Sequence, residues 1–207
     1  MTVLFVVIKE STVLQYFYKM SLSLDEYIDN LGKFLNIVSD ELPVVMSEGA
    51  VSMKTEIQNR IQEQGLDDQN NPLQYGSGTP YSEKDIPAFF YKNAETLNAG
   101  ATSYVDEQIE SGEGISYKDW REANNLQTDH VDLTFTGNMW KRIGLTSVKT
   151  GQNIAIVTIE GRTDEAQEKL FFNSVRYGDI LQPNKDELDE LEFIVDTRLQ
   201  NLATKYL

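Results

Sequence analysis

The chain contains no cysteine. That removes disulfides, thiolate metal sites and cysteine nucleophiles together. It has one histidine, His130, so a zinc site would have to rely on carboxylates, an unusual donor set. Positive charge is scarce: 18 Lys and Arg stand against 33 Asp and Glu, a net charge of −15. Affinity for nucleic acid comes largely from Lys and Arg displacing counterions from phosphates, and no window here is basic enough to supply it. Long apolar runs are missing as well. Val3–Ile8 is a run of six, too short to span a bilayer. No basic residue precedes it and no small-residue cleavage site follows, so a secretory signal is not expected.

What is present describes a soluble globular chain. Over 207 residues, 40% are hydrophobic and 25% charged, enough to bury a sizeable core without covalent staples. Residues 1–22 read as an N-terminal arm or extra strand, or, since Met20 opens a second, more typical start, "MSLSLDEYIDNLGKF", residues 1–19 read as a translated upstream region of no fixed role. Residues 23–207 read as one domain with a long loop at 66–84.

Ser23 and Glu26 form an S-x-x-E capping box. Behind it Leu24, Tyr27, Ile28, Leu31, Leu35 and Val38 share a helical face, with Phe34 beside them, predicting a helix to about Ser39. Pro43 suits the first turn of a second helix with the stripe Met46, Ala50, Met53, Ile57 and Ile61, stopped by Gly65. The expectation is a helical hairpin or one long bent helix. A loop rich in Gly, Pro, Asn and Ser follows over 66–84, then short helices over Ile86–Leu97 and within "SYKDWREANN".

Further on, the alternation of Val131, Leu133 and Phe135 with polar residues predicts a half-buried strand. A short helix over Gly137–Ile143 comes next. "LTSVKTGQNIAIVTIEG" predicts a hairpin turning near Gly151, its second strand, Ile154–Ile159, apolar on both faces and therefore central. Thr163 can cap a helix. After Pro183 comes a last helix with the stripe Leu188, Leu191, Val195, Leu199 and Leu202. The fold class is α+β: a small antiparallel sheet with long helices packed on it.

Candidate chemistry is thin. His130 and Asp132 lie two apart on the expected strand, with no nucleophile elbow to complete a triad, and a strand-entry histidine is the simpler reading. "DDQNN" (67–71) lacks the Gly and terminal Glu of a calcium loop. "YGSGTPYS" (75–82) lacks the Gly-Lys-Ser/Thr ending of a phosphate loop. In "DELDELE" (186–192) the carboxylates complement the positive helix end, and Asp186, Asp189 and Glu190 can share a solvated face. No catalytic residue, metal ligand or cofactor is expected. "VDLTFTGNMW" (131–140) reads as a structural joint: Thr136 ends the strand and caps a helix, Gly137 permits close approach, and Met139 and Trp140 pack that helix on the sheet or a neighbouring subunit.

Several blocks, in order, resemble a known family. "MKTEIQNRIQEQGLDDQNNPLQYGSGTPYSEKDIPAFF" (53–90) resembles the first half of tailed-bacteriophage virion morphogenesis proteins, with Ile57, Arg60, Ile61 and Gly65 forming an I-x-x-R-I-x-x-x-G phrase and Tyr81-Ser82 after the loop. "YKDWREANNLQTDHVDLTFTGNMWKRI" (117–143), "NIAIVTIEG…QEKLFFNSVRYG" (153–178) and "ILQPNKDELDELEFIVDTRL" (180–199) resemble the successive blocks. The likeness covers about residues 24–207 and is similar in flavour to versions from phages of Bacteroides-like hosts, including crAss-like phages. It departs from the family where "LQPNKDEL" stands in place of an Arg-Pro or Pro-Arg pair before the last helix.

The resemblance implies a non-enzymatic neck, head–tail joining or tail-completion protein of the virion, assembled in the host cytoplasm. Its partners would be further copies in a ring, the portal or adaptor, and tail proteins, with no membrane. DNA would pass without sticking. The candidate subunit-contact loop carries Tyr75, Tyr81 and Ser82. The candidate acidic lumen or partner face carries Asp186, Glu187, Asp189 and Glu190. A reading from another class is a soluble module whose acidic face binds a basic partner.

Overall fold

The computed structural model describes residues 2–7, 24–74, 78–134, 136–151 and 154–206. In chain order the elements are β1 (Thr2–Val7), α1 (Leu24–Asn59), β2 (Ile86–Pro87), α2 (Ala99–Ser111), β3 (Gly114–Ile115), α3 (Tyr117–Ala123), α4 (Asn138–Lys141), β4 (Ile143–Gly151), β5 (Ile154–Gly161), α5 (Asp164–Tyr177) and α6 (Lys185–Tyr206). A π-helical turn occupies Arg60–Gln64 and a 3-10 turn Ala88–Tyr91. The fold is α+β. The chain divides into two compact units of interleaved stretches: Met1–Ile57, Ile143–Arg162 and Leu181–Leu207 in one, Gln58–Arg142 and Thr163–Ile180 in the other. Interleaving leaves no single linker for composition to reveal.

The first unit holds a three-stranded antiparallel sheet in the order β1-β5-β4. Ile154 pairs with Val7 on one side and Gly151 on the other, so β5 is central, as its apolar sequence predicts. Ala155, Val157 and Ile159 are buried while Ile156, Thr158 and Glu160 are half-buried, the period-two pattern of a strand. The β4 register shifts between Leu145 and Ser147, a bulge that lets the edge strand bend.

Helix α1 is a single 36-residue helix with Pro43 inside it, not a hairpin. Proline removes one backbone donor, and the buried side chains on either side, Leu42 and Val45, supply packing that offsets the loss. Its stripe of Met46, Ala50, Met53 and Ile57 is buried, as expected. Ile28 and Leu35, assigned to the same apolar face, are more than half exposed. Ser23 lies outside the described residues. Helix α6 packs closely on α1: a Cβ at Gly49 would lie 2.4 Å from Leu191 Cδ1, and Arg198 Nη2 donates to Glu48 Oε2 at 2.8 Å. Of the α6 stripe, Leu191 and Val195 are buried, Leu199 and Leu202 half-buried, and Leu188 exposed.

The second unit is mostly helical. Helix α2 was not apparent from sequence, yet its ends are well specified: the Asn98 side chain accepts from Ala101 N–H, and Gly112 ends it at φ 75. Ser116 and Asp119 form a reciprocal capping box at the start of α3. The short helix expected over Ile86–Leu97 is instead strand β2, paired with β3, followed by the 3-10 turn. Pro87 explains the difference, because the residue before a proline is driven out of the helical region. Ala88, Val105, Ile115 and Trp120 form a buried cluster flanked by Tyr91, Tyr104 and Tyr117. Helix α4 lies against α5.

Over Val131–Thr134 the expected strand does not form. Val131–Thr134 is irregular, and Leu133 takes φ 52, which ends any strict alternation of faces. Phe135 lies outside the described residues. Among the described residues no helix is long and apolar enough to cross a membrane.

Candidate functional site

The irregular segment is held by its polar side chains. Asp132 is 7% exposed and Arg121, on α3, is 1% exposed. Arg121 Nη2 donates to Asp132 Oδ1 at 3.0 Å and Oδ2 at 3.1 Å. Its Nη1 donates to Thr134 O at 2.7 Å, and its Nε to Gln127 O at 3.2 Å. Two buried charges survive only when they are paired and their remaining donors satisfied, and the guanidinium meets both conditions.

Tyr81 completes the group. Its hydroxyl donates to Asp132 Oδ1 at 2.9 Å and accepts from Asp132 N–H at 3.1 Å. Arg121 Cζ sits 4.2 Å from the ring centroid, a cation–π distance. Burial, first of all, pushes the Tyr81 phenol well above the ordinary tyrosine range, so it stays a neutral donor. Asp132 Oδ1 also accepts from Thr134 N–H at 2.9 Å, which closes the turn and accommodates the unusual φ of Leu133.

A cleft of about 280 Å³ opens beside this group. Tyr81 and Arg121 line one part, Thr134, Thr136, Gly137 and Met139 another, and α5 contributes Lys169, Asn173 and Arg176. Those α5 positions, four and three apart, lie on one helical face. Lys169 is paired with Glu165 at 2.8 Å. Asn173 donates to Met139 Sδ at 3.6 Å. The lining combines cations, amides and hydroxyls with the apolar Val131, Leu133 and Met139 and one carboxylate, Glu95, in a chain of net charge −15.

The structure therefore brings Thr136, Gly137, Met139 and Tyr81 together, but corrects their roles. Gly137, not Thr136, occupies the N-cap position of α4, and the Thr136 hydroxyl accepts from Asn138 N–H at 3.4 Å. Nothing lies within 4 Å of a Cβ built at Gly137. Its φ of 72, not close approach, is what calls for glycine. Met139 and Trp140 are buried, and α4 packs on helix α5. Tyr81 is an internal residue, 4% exposed. Ser82 is half-buried, its carbonyl accepting from Lys118 N–H at 3.2 Å. Tyr75 lies outside the described residues.

Two other expectations are also corrected. His130 is not at a strand entry: its Nε2 is 2.7 Å from Gln62 O, and its Cβ lies 2.7 Å from where a Cβ at Gly65 would stand. Glu187 is not on an acidic surface. It is 6% exposed, its carboxylate accepts from Asn184 N–H at 2.8 Å and its own N–H donates to Asn184 Oδ1 at 2.8 Å, a capping box at the start of α6. Asp186, Asp189 and Glu190 are exposed. In "DDQNN", the Asp67 carboxylate accepts from the backbone of Gln69 and Asn71, and among the described residues no group of three or more His, Asp or Glu is placed to hold a metal.

The second unit also exposes large aromatic side chains. Phe89 and Phe90 are 57% and 63% exposed, with Phe171, Phe172 and Val175 on α5 at 64%, 68% and 72%. Sequence reasoning missed Arg121, Lys169, Asn173 and Arg176. The only available signal for Arg121 was a cation set among helix-forming residues, which ordinarily marks a solvated face. No protein-family model, curated protein or solved structure matches the chain.

Proposed function

We propose that the chain is a non-enzymatic structural protein of a tailed-phage particle, a ring subunit at the head–tail junction that joins portal and tail and lets DNA pass. The observation that carries the reading is the aromatic surface left open at two separate places in the second unit, Phe89–Phe90 and Phe171–Phe172. Soluble monomers rarely leave such side chains open in groups, and a subunit in a closed assembly needs more than one contact surface. The ordered resemblance over residues 24–207 supplies the identity of the assembly. The net charge of −15 suits a channel that repels phosphate, and Asp186, Asp189 and Glu190 are the exposed carboxylates offered for its wall or for a neighbouring protein.

The test is peptide mapping of purified virions together with electron microscopy of the neck, using particles whose copy of this chain carries a small tag. The expected result is recovery of its peptides at a constant ratio to portal protein, with the tag at the head–tail junction. Absence from particles that contain portal and tail proteins would overturn the proposal. A basic lumen in a map of the ring would remove the proposed role of the acidic residues.

A further inference from the structure

The polar groups around the cleft of the second unit divide into those already bonded within the chain and those that are not. Its cations are engaged. Arg121 gives its guanidinium to Asp132, Thr134 O and Gln127 O, Lys169 is paired with Glu165 at 2.8 Å, and Arg176 has a partner of its own. The Thr134 hydroxyl accepts from Gln62 Nε2 at 2.7 Å and donates to Asp132 O at 3.1 Å. An entering anion would have to compete with contacts already made.

Four other lining groups, from three stretches of the chain, retain bonding capacity. Asn173 directs its amide N–H groups to Lys169 O and Met139 Sδ, leaving Oδ1 without a partner among the described residues. Thr136 Oγ1 accepts from Asn138 N–H at 3.4 Å, and its O–H is still to be donated. The Asn138 amide group and the Glu95 carboxylate are exposed and make no side-chain hydrogen bond or ion pair among the described residues. Together these groups offer more acceptors than donors. A ligand that satisfies them carries several O–H groups, whereas a carboxylate or phosphate ion brings acceptors alone.

Size and wall narrow the choice. At about 280 Å³ the cleft lies just below the ~300 Å³ at which small-molecule sites begin, which is room for one ring. Tyr117 and Tyr177 line it beside Met139. Tyr117 is stacked on Trp120 with centroids 5.7 Å apart, and Tyr81 meets it edge-on at 5.7 Å, so this wall is fixed before a ligand arrives. Rigid aromatic surface next to amides, a hydroxyl and a carboxylate suits a ring with an apolar C–H face and a rim of hydroxyls.

We propose that the cleft binds a neutral sugar, a single hexopyranose ring. Glu95 and Asn173 Oδ1 accept from its hydroxyls, while Asn138 and Thr136 donate to its oxygens. The site lies wholly within the second unit and does not rest on the neck reading.

NMR titration of the isotope-labelled full chain with the methyl glycosides of glucose, galactose, mannose and N-acetylglucosamine tests this. Each is taken to about 100 mM, which reads a millimolar Kd. At least one should shift the side-chain amide signals of Asn138 and Asn173 to saturation. Glu95→Ala, Asn138→Ala and Asn173→Leu should each raise Kd about three- to tenfold, the worth of one hydrogen bond. Glu168→Gln, on α5 but outside the cleft, should leave it unchanged. The same spectra establish that each variant is folded, and should Asn173→Leu alter the fold, the exposed positions Glu95 and Asn138 give the reading. Acetate, phosphate and ethylammonium chloride should produce no saturable shift. Failure of all four glycosides to saturate, binding of an anion or of ethylammonium in their place, or glycoside binding untouched by the cleft substitutions would each overturn the proposal.

Discussion

Arg121 and Asp132 are joined by two hydrogen bonds from one nitrogen, Nη2 lying 3.0 Å from Oδ1 and 3.1 Å from Oδ2. The pair fastens α3 to the irregular segment that leads to α4, with side chains only 2% and 10% exposed. Breaking such a pair strands one charge in a poorly solvated place. Arg121→Met or Asp132→Leu alone is expected to destabilise the chain by about 3–5 kcal/mol. The double replacement should cost much less than the sum, as read by urea denaturation. Additive losses would show that the two residues act separately.

Tyr81 links stability to alkaline pH. Its folded pKa lies above its unfolded value because burial disfavours the phenolate. The folded state therefore keeps a proton that the unfolded state releases above about pH 10. The Tyr81 contribution is full below that pH and is lost as pH rises beyond it. Tyr81→Phe should cost about 1–2 kcal/mol near neutrality, through the unmet Asp132 groups. It should also flatten the fall in stability between neutral and strongly alkaline buffer. An unchanged alkaline slope in the variant would exclude Tyr81 as its source.

Gly65 is constrained twice, by φ 65 and by a Cβ position 2.7 Å from His130 Cβ. Gly65→Ala should lower stability by about 1–3 kcal/mol, from left-handed strain plus the clash. In a His130→Gly background, which removes the contacting Cβ, the clash component should vanish and the strain component should remain. Thermal melts of the four proteins in this cycle measure both.

At the start of α6, neighbouring acidic residues should behave differently. Asn184→Ala or Glu187→Ala removes one half of the capping box and should cost about 1 kcal/mol. Asp186→Asn and Glu190→Gln, on exposed positions, should stay within about 0.5 kcal/mol. Equal effects at Glu187 and Glu190 would contradict the burial of Glu187.

The period of the apolar residues was readable wherever one element packs along its whole length. The stripe Met46–Ala50–Met53–Ile57 and the central position of Ile154–Ile159 are legible in the sequence, because burial along one helical face, or pairing on both edges of an apolar strand, leaves a pattern there. The caps at Thr163 and Gly65 were readable for a similar reason, since each depends on the chemistry of one or two adjacent residues. Helix α2 was less legible: "AGATSYVDEQIES" has a weak stripe, and its burial rests on Ala101 and Val105.

"VDLTFTGNMW" shows where sequence stopped. Its alternation gave a strand, but a strand requires a backbone partner. Here the backbone of Asp132 and Thr134 is instead bonded by Tyr81, from 51 residues upstream, and by Arg121. Similarly, Glu187 looked like one more carboxylate in an acidic run until Asn184 turned it inward. Sequence alone determined the α+β class, the net acidic charge, the main stripes and the caps at Thr163 and Gly65, because these arise from composition and from neighbours along the chain. Only the tertiary structure decided which charges are buried, where the cleft opens and which aromatic face of α5 is left uncovered. Those outcomes depend on groups distant in sequence competing for the same space and the same hydrogen bonds.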